Sequence, residues 1–153
     1  MRIVDILPEA LVVPSLRGRT KDEVLHELAA ALAAAHPDVD ANRLVDVLRE
    51  RERLGSTAIG DGIAIPHGKW PGLQSVVAVF GRHAEGVDFD SLDGRPTHLF
   101  FLLVAPEDSV GQHLKALARV SRLLKDAAFR QALVSTAEPQ QLYACIRRED
   151  EKY

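Results

Sequence analysis

The run Thr97-His98-Leu99-Phe100-Phe101-Leu102-Leu103-Val104 decides the fold of this chain. From Leu99 onward it is apolar without interruption, lacking the alternation of a strand with one wet face. It therefore reads as a central strand covered on both sides. Pro106 ends it, since proline fixes φ and carries no backbone donor. A strand buried on both faces needs helices above and below, which predicts an α/β sandwich.

The flanking sequence supplies those helices. Downstream, a helix is expected from about Ser109 to Lys125 with Leu114, Leu117, Val120 and Leu124 as its buried stripe and His113 on the border. Asp126 can cap a short helix carrying Phe129 and Leu133; Glu138-Pro139 opens a last one with Leu142, Tyr143 and Ile146, followed by a charged tail. Upstream, Asp93-Gly94-Arg95-Pro96 signals a turn, and Ser75–Phe80, rich in β-branched residues, a second strand. Asp40 can cap a helix with Leu44, Val45 and Leu48 on its apolar face, closed by Gly55; its charged end, Arg49–Arg53, reads mostly as a solvated face. Thr20 and Glu23 have capping-box spacing for a further helix, with Glu23 reaching back to the Thr20 amide and the apolar face running to Pro37. Ile3–Leu7 reads as a turn of helix and Ala10–Val13 as a short strand. Residues 1–153 are expected to form one domain, with helices on both faces of the sheet.

Composition narrows the function. A formal net charge of −3 gives no basic stripe for nucleic acid. No apolar run approaches the ~18–20 residues needed to cross a bilayer, and the start lacks a signal peptide, so a cytoplasmic protein is expected. The single Cys145 cannot form an internal disulfide or a cysteine-based zinc site, and reads as a packing residue. His26-Glu27 begins like a zinc-protease helix, but Ala30 stands where the second histidine belongs.

The chemistry concentrates in Leu54–Lys69, Leu-Gly-Ser-Thr-Ala-Ile-Gly-Asp-Gly-Ile-Ala-Ile-Pro-His-Gly-Lys. The glycines fit neither a P-loop, where Ser or Thr rather than Trp70 would follow the lysine, nor a dinucleotide fingerprint, which needs a third glycine and a helix. Gly55, Ser56, Thr57 and Gly68 remain candidates for an anion-binding loop. The triplet Ile63-Ala64-Ile65 reads as a short buried strand stopped by Pro66, delivering His67 to the surface, with Gly68 clearing space beside the imidazole. A neutral imidazole has one nucleophilic nitrogen and can accept a phosphoryl group without a separate base. An arginine from the preceding helix could face the same loop, and His113 lies near a helix start, where an anion is welcome. His26, His36, His83 and His98 lack a comparable setting and are read as structural or surface residues.

Taken together, Arg51-Glu52-Arg53-Leu54-Gly55-Ser56-Thr57, Ile59-Gly60, Gly62–Lys69, Asp88-Phe89-Asp90, Asp93-Gly94 and His113-Leu114 resemble the EIIA domain of the bacterial phosphotransferase system, fructose/mannitol class, and especially its nitrogen-regulatory branch. The resemblance implies a mixed sheet of about five strands flanked by helices. It implies that His67 is phosphorylated at Nε2 by a phosphohistidine HPr-like carrier, that Arg51 stabilises the phosphate, and that His113 is the second active-site histidine. It requires no metal, nucleotide or other cofactor. A regulatory protein acting on target proteins is expected; the alternatives are a sugar-transport EIIA passing phosphate to an EIIB cysteine and a binding module that is never phosphorylated. Two positions depart from the nitrogen branch, which usually has Gly at Ala58 and Asn at Asp61. Ala58 would restrict the backbone if positive φ is needed there, and Asp61 would add negative charge near the phosphate site.

Overall fold

The computed structural model describes all of residues 1–153. The strands are β1 (Val12–Val13), β2 (Ala58–Gly60), β3 (Ile63–Ala64), β4 (His67–Lys69), β5 (Val77–Val87) and β6 (Thr97–Ala105); the helices are α1 (Lys21–Ala35), α2 (Ala41–Arg53), α3 (Val110–Leu123), α4 (Ala127–Ser135) and α5 (Pro139–Asp150). The sheet order is β1-β5-β6-β3-β2, with β4 also paired to β6. Because β3 and β4 occupy successive stretches of the same β6 edge, six strands make a sheet five wide. β5 runs antiparallel to β6, whereas β3 and β4 run parallel to it. The run Phe100–Ala105 in β6 is fully buried, as expected of a strand covered twice.

The two faces can be read at β5. At Gly81 a side chain would collide with Leu16 and with Leu28 of α1, at 2.7 and 2.9 Å. The next residue, Arg82, points the other way and donates Nε to the Val134 carbonyl of α4 at 2.8 Å. Helices α1 and α2 thus lie on one face, α3 and α4 on the other, and α5 packs against α4 and the N-terminal turn. No helix is long and apolar enough to cross a membrane.

Caps fix the helix starts. Asp40 accepts from the Arg43 amide at 3.2 Å, and Asp126 from Ala128 and Phe129 at 2.9 and 3.2 Å. Thr20 accepts from the Glu23 amide, but Glu23 returns its bond to Arg19 rather than Thr20. The cause is Gly18, which folds the incoming chain directly against Glu23 and Val24.

Four expectations shift. The strand begun near Ser75 continues to Val87, because pairing with β6 persists beyond its apolar run. In the Ala10–Val13 segment only Val12–Val13 is strand, the preceding Glu9–Leu11 being a 3-10 turn. On α3 the buried residues include His113, Ala116, Val120 and Leu123, while Leu114 is 61% exposed. His113 and Ala116, three residues apart, share the face of α3 that turns inward. The charged tail is partly core: Asp150 is 1% exposed, accepts from Arg119 Nε at 2.8 Å and from the Val4 amide at 3.3 Å, and so pairs the chain ends. Cys145 is half-buried against the core, and burial pushes its thiol pKa up.

Candidate functional site

His67 is the first residue of β4, not the residue beyond a finished strand. Pro66 interrupts the ladder, but its carbonyl still accepts from the Leu103 amide at 2.9 Å, so the chain resumes pairing with His67 opposite Leu103. The alternation of strand side chains then sends His67 to the α3 face and Gly68 to the α2 face. Gly68 has a packing role: a Cβ there would lie 2.9 Å from Val47 Cγ1 and 3.4 Å from Leu48 Cδ2. The glycine brings α2 close to β4 and does not clear space for a ligand.

That close approach brings Arg51, at the C-terminal end of α2, to His67. Arg51 donates Nε to His67 Nε2 at 3.1 Å and Nη1 to the Gly55 carbonyl at 3.0 Å. His67 Nδ1 lies 2.9 Å from the Ile65 carbonyl. A carbonyl can only accept, so Nδ1 carries the proton and Nε2 presents its lone pair. Burial holds the His67 pKa below the ordinary imidazole value; the Ile65 bond opposes this, Arg51 reinforces it and Glu52 opposes it.

His113 completes a pair. Its ring centroid is 5.4 Å from that of His67, edge to face, and its buried Nε2 has no hydrogen-bond partner. Burial, then the His67 and Lys69 charges, lower its pKa. Two neutral imidazoles and a permanently charged guanidinium therefore converge at one end of β6. This constellation has a nucleophilic nitrogen, a bidentate cation and an unpaired buried ring nitrogen. No group of three His, Cys, Asp or Glu side chains that could hold a metal ion is present.

The other loop candidates are occupied otherwise. Ser56 Oγ donates to the Phe89 carbonyl and accepts from the Ala58 amide. The Thr57 amide and hydroxyl both donate to the Glu52 carboxylate. The Gly55 carbonyl faces Arg51. These groups brace the loop and do not form an open anion nest. Ala58 sits in extended β2, where no positive φ is required. Asp61 does adopt φ 57 in the β2–β3 turn, its amide held by Asp93 at 3.2 Å, and aspartate tolerates that conformation. It is not near the histidines: β3 enters beside Leu99, about 13 Å along β6 from Leu103.

Sequence reasoning missed Glu52, absorbed into the solvated charged run. Its side chain is only 6% exposed and pairs with Lys21 at 2.8 Å. The signal was helical spacing: Val45, Leu48 and Glu52 share the buried stripe of α2.

The open sheet, its helices and the arginine-backed histidine pair define a small α/β domain built around one half-buried imidazole. Residues 5–149 match the family described as phosphoenolpyruvate-dependent sugar phosphotransferase system, EIIA 2, and the chain belongs to that family. Its similarity reaches the nitrogen-regulatory members: it is 41% identical over 146 residues to a nitrogen regulatory protein of Bradyrhizobium diazoefficiens, covering 95% of both chains. The crystal structure of the nitrogen regulatory protein IIA-Ntr from Neisseria meningitidis superposes with a TM-score of 0.86 at 30% identity, over 94% of this chain and 98% of that one. A complex of mannitol enzyme IIA with phosphorylated enzyme IIB from Escherichia coli shares the fold, with a TM-score of 0.74 at 20% identity over 92% and 96% of the chains.

Proposed function

We propose that His67 is a phosphoryl acceptor and that the protein is a nitrogen-regulatory EIIA, charged in the cytoplasm by a phosphohistidine HPr-like carrier. The observation that carries this reading is the His67 tautomer: Nδ1–H is tied to Ile65, leaving the Nε2 lone pair beside Arg51. In the transfer, that lone pair forms the new N–P bond as the N–P bond to the donor imidazole breaks. The donor nitrogen keeps the bonding electrons, and no proton need leave His67. Arg51 then donates to phosphoryl oxygens in place of Nε2, and the unpaired His113 nitrogen supplies a further polar contact. The N-terminus of α3, whose cap Ser109 makes no side-chain bond, adds positive potential there.

The test is intact-mass measurement after exposure to the phosphorylated carrier. One phosphate-sized gain is expected in the wild type and none in His67→Ala. An unreacted wild type would instead indicate a binding module, and an undiminished gain in His67→Ala would move the acceptor elsewhere.

A second reading rests on the family description and on the mannitol IIA–IIB complex: a sugar-transport role in which His67 passes the group to an EIIB cysteine. Mixing the phosphorylated protein with candidate EIIB proteins separates the two. Fast onward transfer to a cysteine supports transport, and retention of phosphate supports regulation of target proteins.

A further inference from the structure

Glu52 stands out as a buried charge that ties α1 to the loop leading to His67. Its carboxylate accepts from the Thr57 amide at 3.1 Å, from the Thr57 hydroxyl, and from Lys21 Nζ at 2.8 Å. Lys21, at the start of α1, also lies over the Phe89 ring at 4.8 Å, and the Phe89 carbonyl accepts from Ser56. Two successive residues of the 55–57 loop are therefore pinned, Ser56 to Phe89 and Thr57 to Glu52. Immediately before them, the carbonyl of Gly55, whose φ is 146, accepts from Arg51 Nη1. That bond fixes the guanidinium plane while Nε reaches His67 Nε2. Arg51 is half-exposed and at a helix end, where a long side chain would otherwise sample many rotamers.

We propose that Glu52 is a positioning residue: by locking Thr57 and hence the Gly55 carbonyl, it holds Arg51 in the one orientation that serves His67. The chain runs Lys21, Glu52, Thr57, Gly55, Arg51, His67, and joins the first turn of α1 to the reactive imidazole across the α2–β2 loop. Its relevance to transfer rests on the phosphoacceptor reading; its geometry does not. A buried carboxylate with three donors is costly to disturb, which suits a fixed brace better than a mobile contact.

The experiment uses the full-length protein and two readouts. The first is the Arg51 Nε–H resonance in ¹⁵N NMR of the unphosphorylated protein, assigned by its absence in Arg51→Lys. A hydrogen-bonded Nε–H exchanges slowly and is resolved from mobile arginines; in Glu52→Gln it is expected to merge with them. The second is a double-mutant cycle on the phosphorylation rate. Glu52→Gln is expected to slow transfer about tenfold on its own, but to add less than a further twofold on top of Arg51→Ala, since a brace has nothing to position once the arginine is gone. A resolved, unchanged Nε–H in Glu52→Gln overturns the proposal, as does full additivity of the two substitutions, which marks Glu52 as merely structural. Loss of the resonance in a protein whose wild type takes no phosphate keeps the positioning and defeats the phosphoacceptor reading. Should Glu52→Gln not fold, Thr57→Val, which removes only the hydroxyl that Glu52 holds, gives the same comparison.

Discussion

Two pairs of histidines flank β6, one of them completed by α3, and they are built oppositely. His83 on β5 and His98 on β6 lie near the end of the sheet where β6 begins. His83 donates Nε2 to the Gly18 carbonyl at 2.7 Å and accepts the Gly86 amide on Nδ1 at 2.9 Å; His98 Nδ1 donates to the His83 carbonyl at 3.0 Å. Each capacity of the His83 ring is used by backbone, so it joins β5 to the loop before α1. At the other end, His67 has one nitrogen fixed by Ile65 and the other facing a cation, and His113 has a buried nitrogen facing no partner at all. Burial alone does not separate the pairs, because His83 and His113 are similarly hidden. What separates them is the partner: the His67 lone pair is met by a side-chain cation rather than by backbone, and a buried His113 nitrogen has no partner. A buried polar atom without a partner is costly in the resting protein. It is explicable where an oxyanion arrives to satisfy it.

That contrast can be broken most directly at the arginines of α2. Arg51→Ala is expected to slow phosphorylation by the carrier on the order of a hundredfold, the scale of losing one well-placed donor to a developing oxyanion. The unfolding midpoint should hardly move. Arg49, two residues earlier, ion-pairs with Asp22 at 2.6 Å and Asp46 at 2.9 Å on the surface, and Arg49→Ala should transfer at the wild-type rate. Quench-flow or mass-resolved time courses on both variants decide it: equal rates would remove Arg51 from the site.

The reverse pattern is expected at His83. His83→Ala leaves the Gly18 carbonyl and Gly86 amide without partners and should cost about 2 kcal/mol of stability in urea unfolding. Phosphorylation at low temperature should be unaffected. A stable His83→Ala protein would mean that satisfied bonding is no guide to structural histidines here. Gly68→Ala should couple the two kinds of effect. The added methyl meets Val47, costing about 1 to 3 kcal/mol by overpacking, and pushes α2 with Arg51 away from His67. Destabilisation without slower transfer would show that helix placement does not set the arginine.

The strands and helices were legible wherever a local rule governed them. The unbroken apolar run Leu99–Val104 gave the central strand, and Thr20, Asp40 and Asp126 gave helix starts by capping chemistry. Errors arose where a partner distant in sequence decided the outcome. Asp150 looks like a solvated tail residue until Arg119 and Val4 close around it, and Leu114 looks like core until α3 turns His113 and Ala116 inward in its place. The site divides in the same way. The sequence singled out His67, Arg51 and His113, and the fold brings them together. It could not show that Gly68 serves packing, that Ser56 and Thr57 are consumed by bracing, or that Asp61 lies at the far end of β3, because each depends on strand register. Glu52 was within reach, since its helical spacing already placed a carboxylate on an apolar stripe.

The smallest expected effect follows from proton linkage. His67 and His113 both titrate below the ordinary imidazole value, chiefly through burial, so the folded protein resists protons that the unfolded chain accepts. Stability rises with pH wherever the unfolded state binds more protons. The contribution of this pair is therefore intact above about pH 6.5, the unfolded imidazole value, and is lost as pH falls from there towards the depressed folded values. Below those values both states are charged, and the pair adds no further slope. Urea midpoints measured from pH 7.5 to 5 should fall for the wild type and fall less for the double variant His67→Gln/His113→Gln. Identical slopes would show that neither ring is shielded enough to stay neutral. That would remove the physical basis for a neutral His67, whereas a shallower slope ties the burial of the two rings to a measurable cost in the resting state.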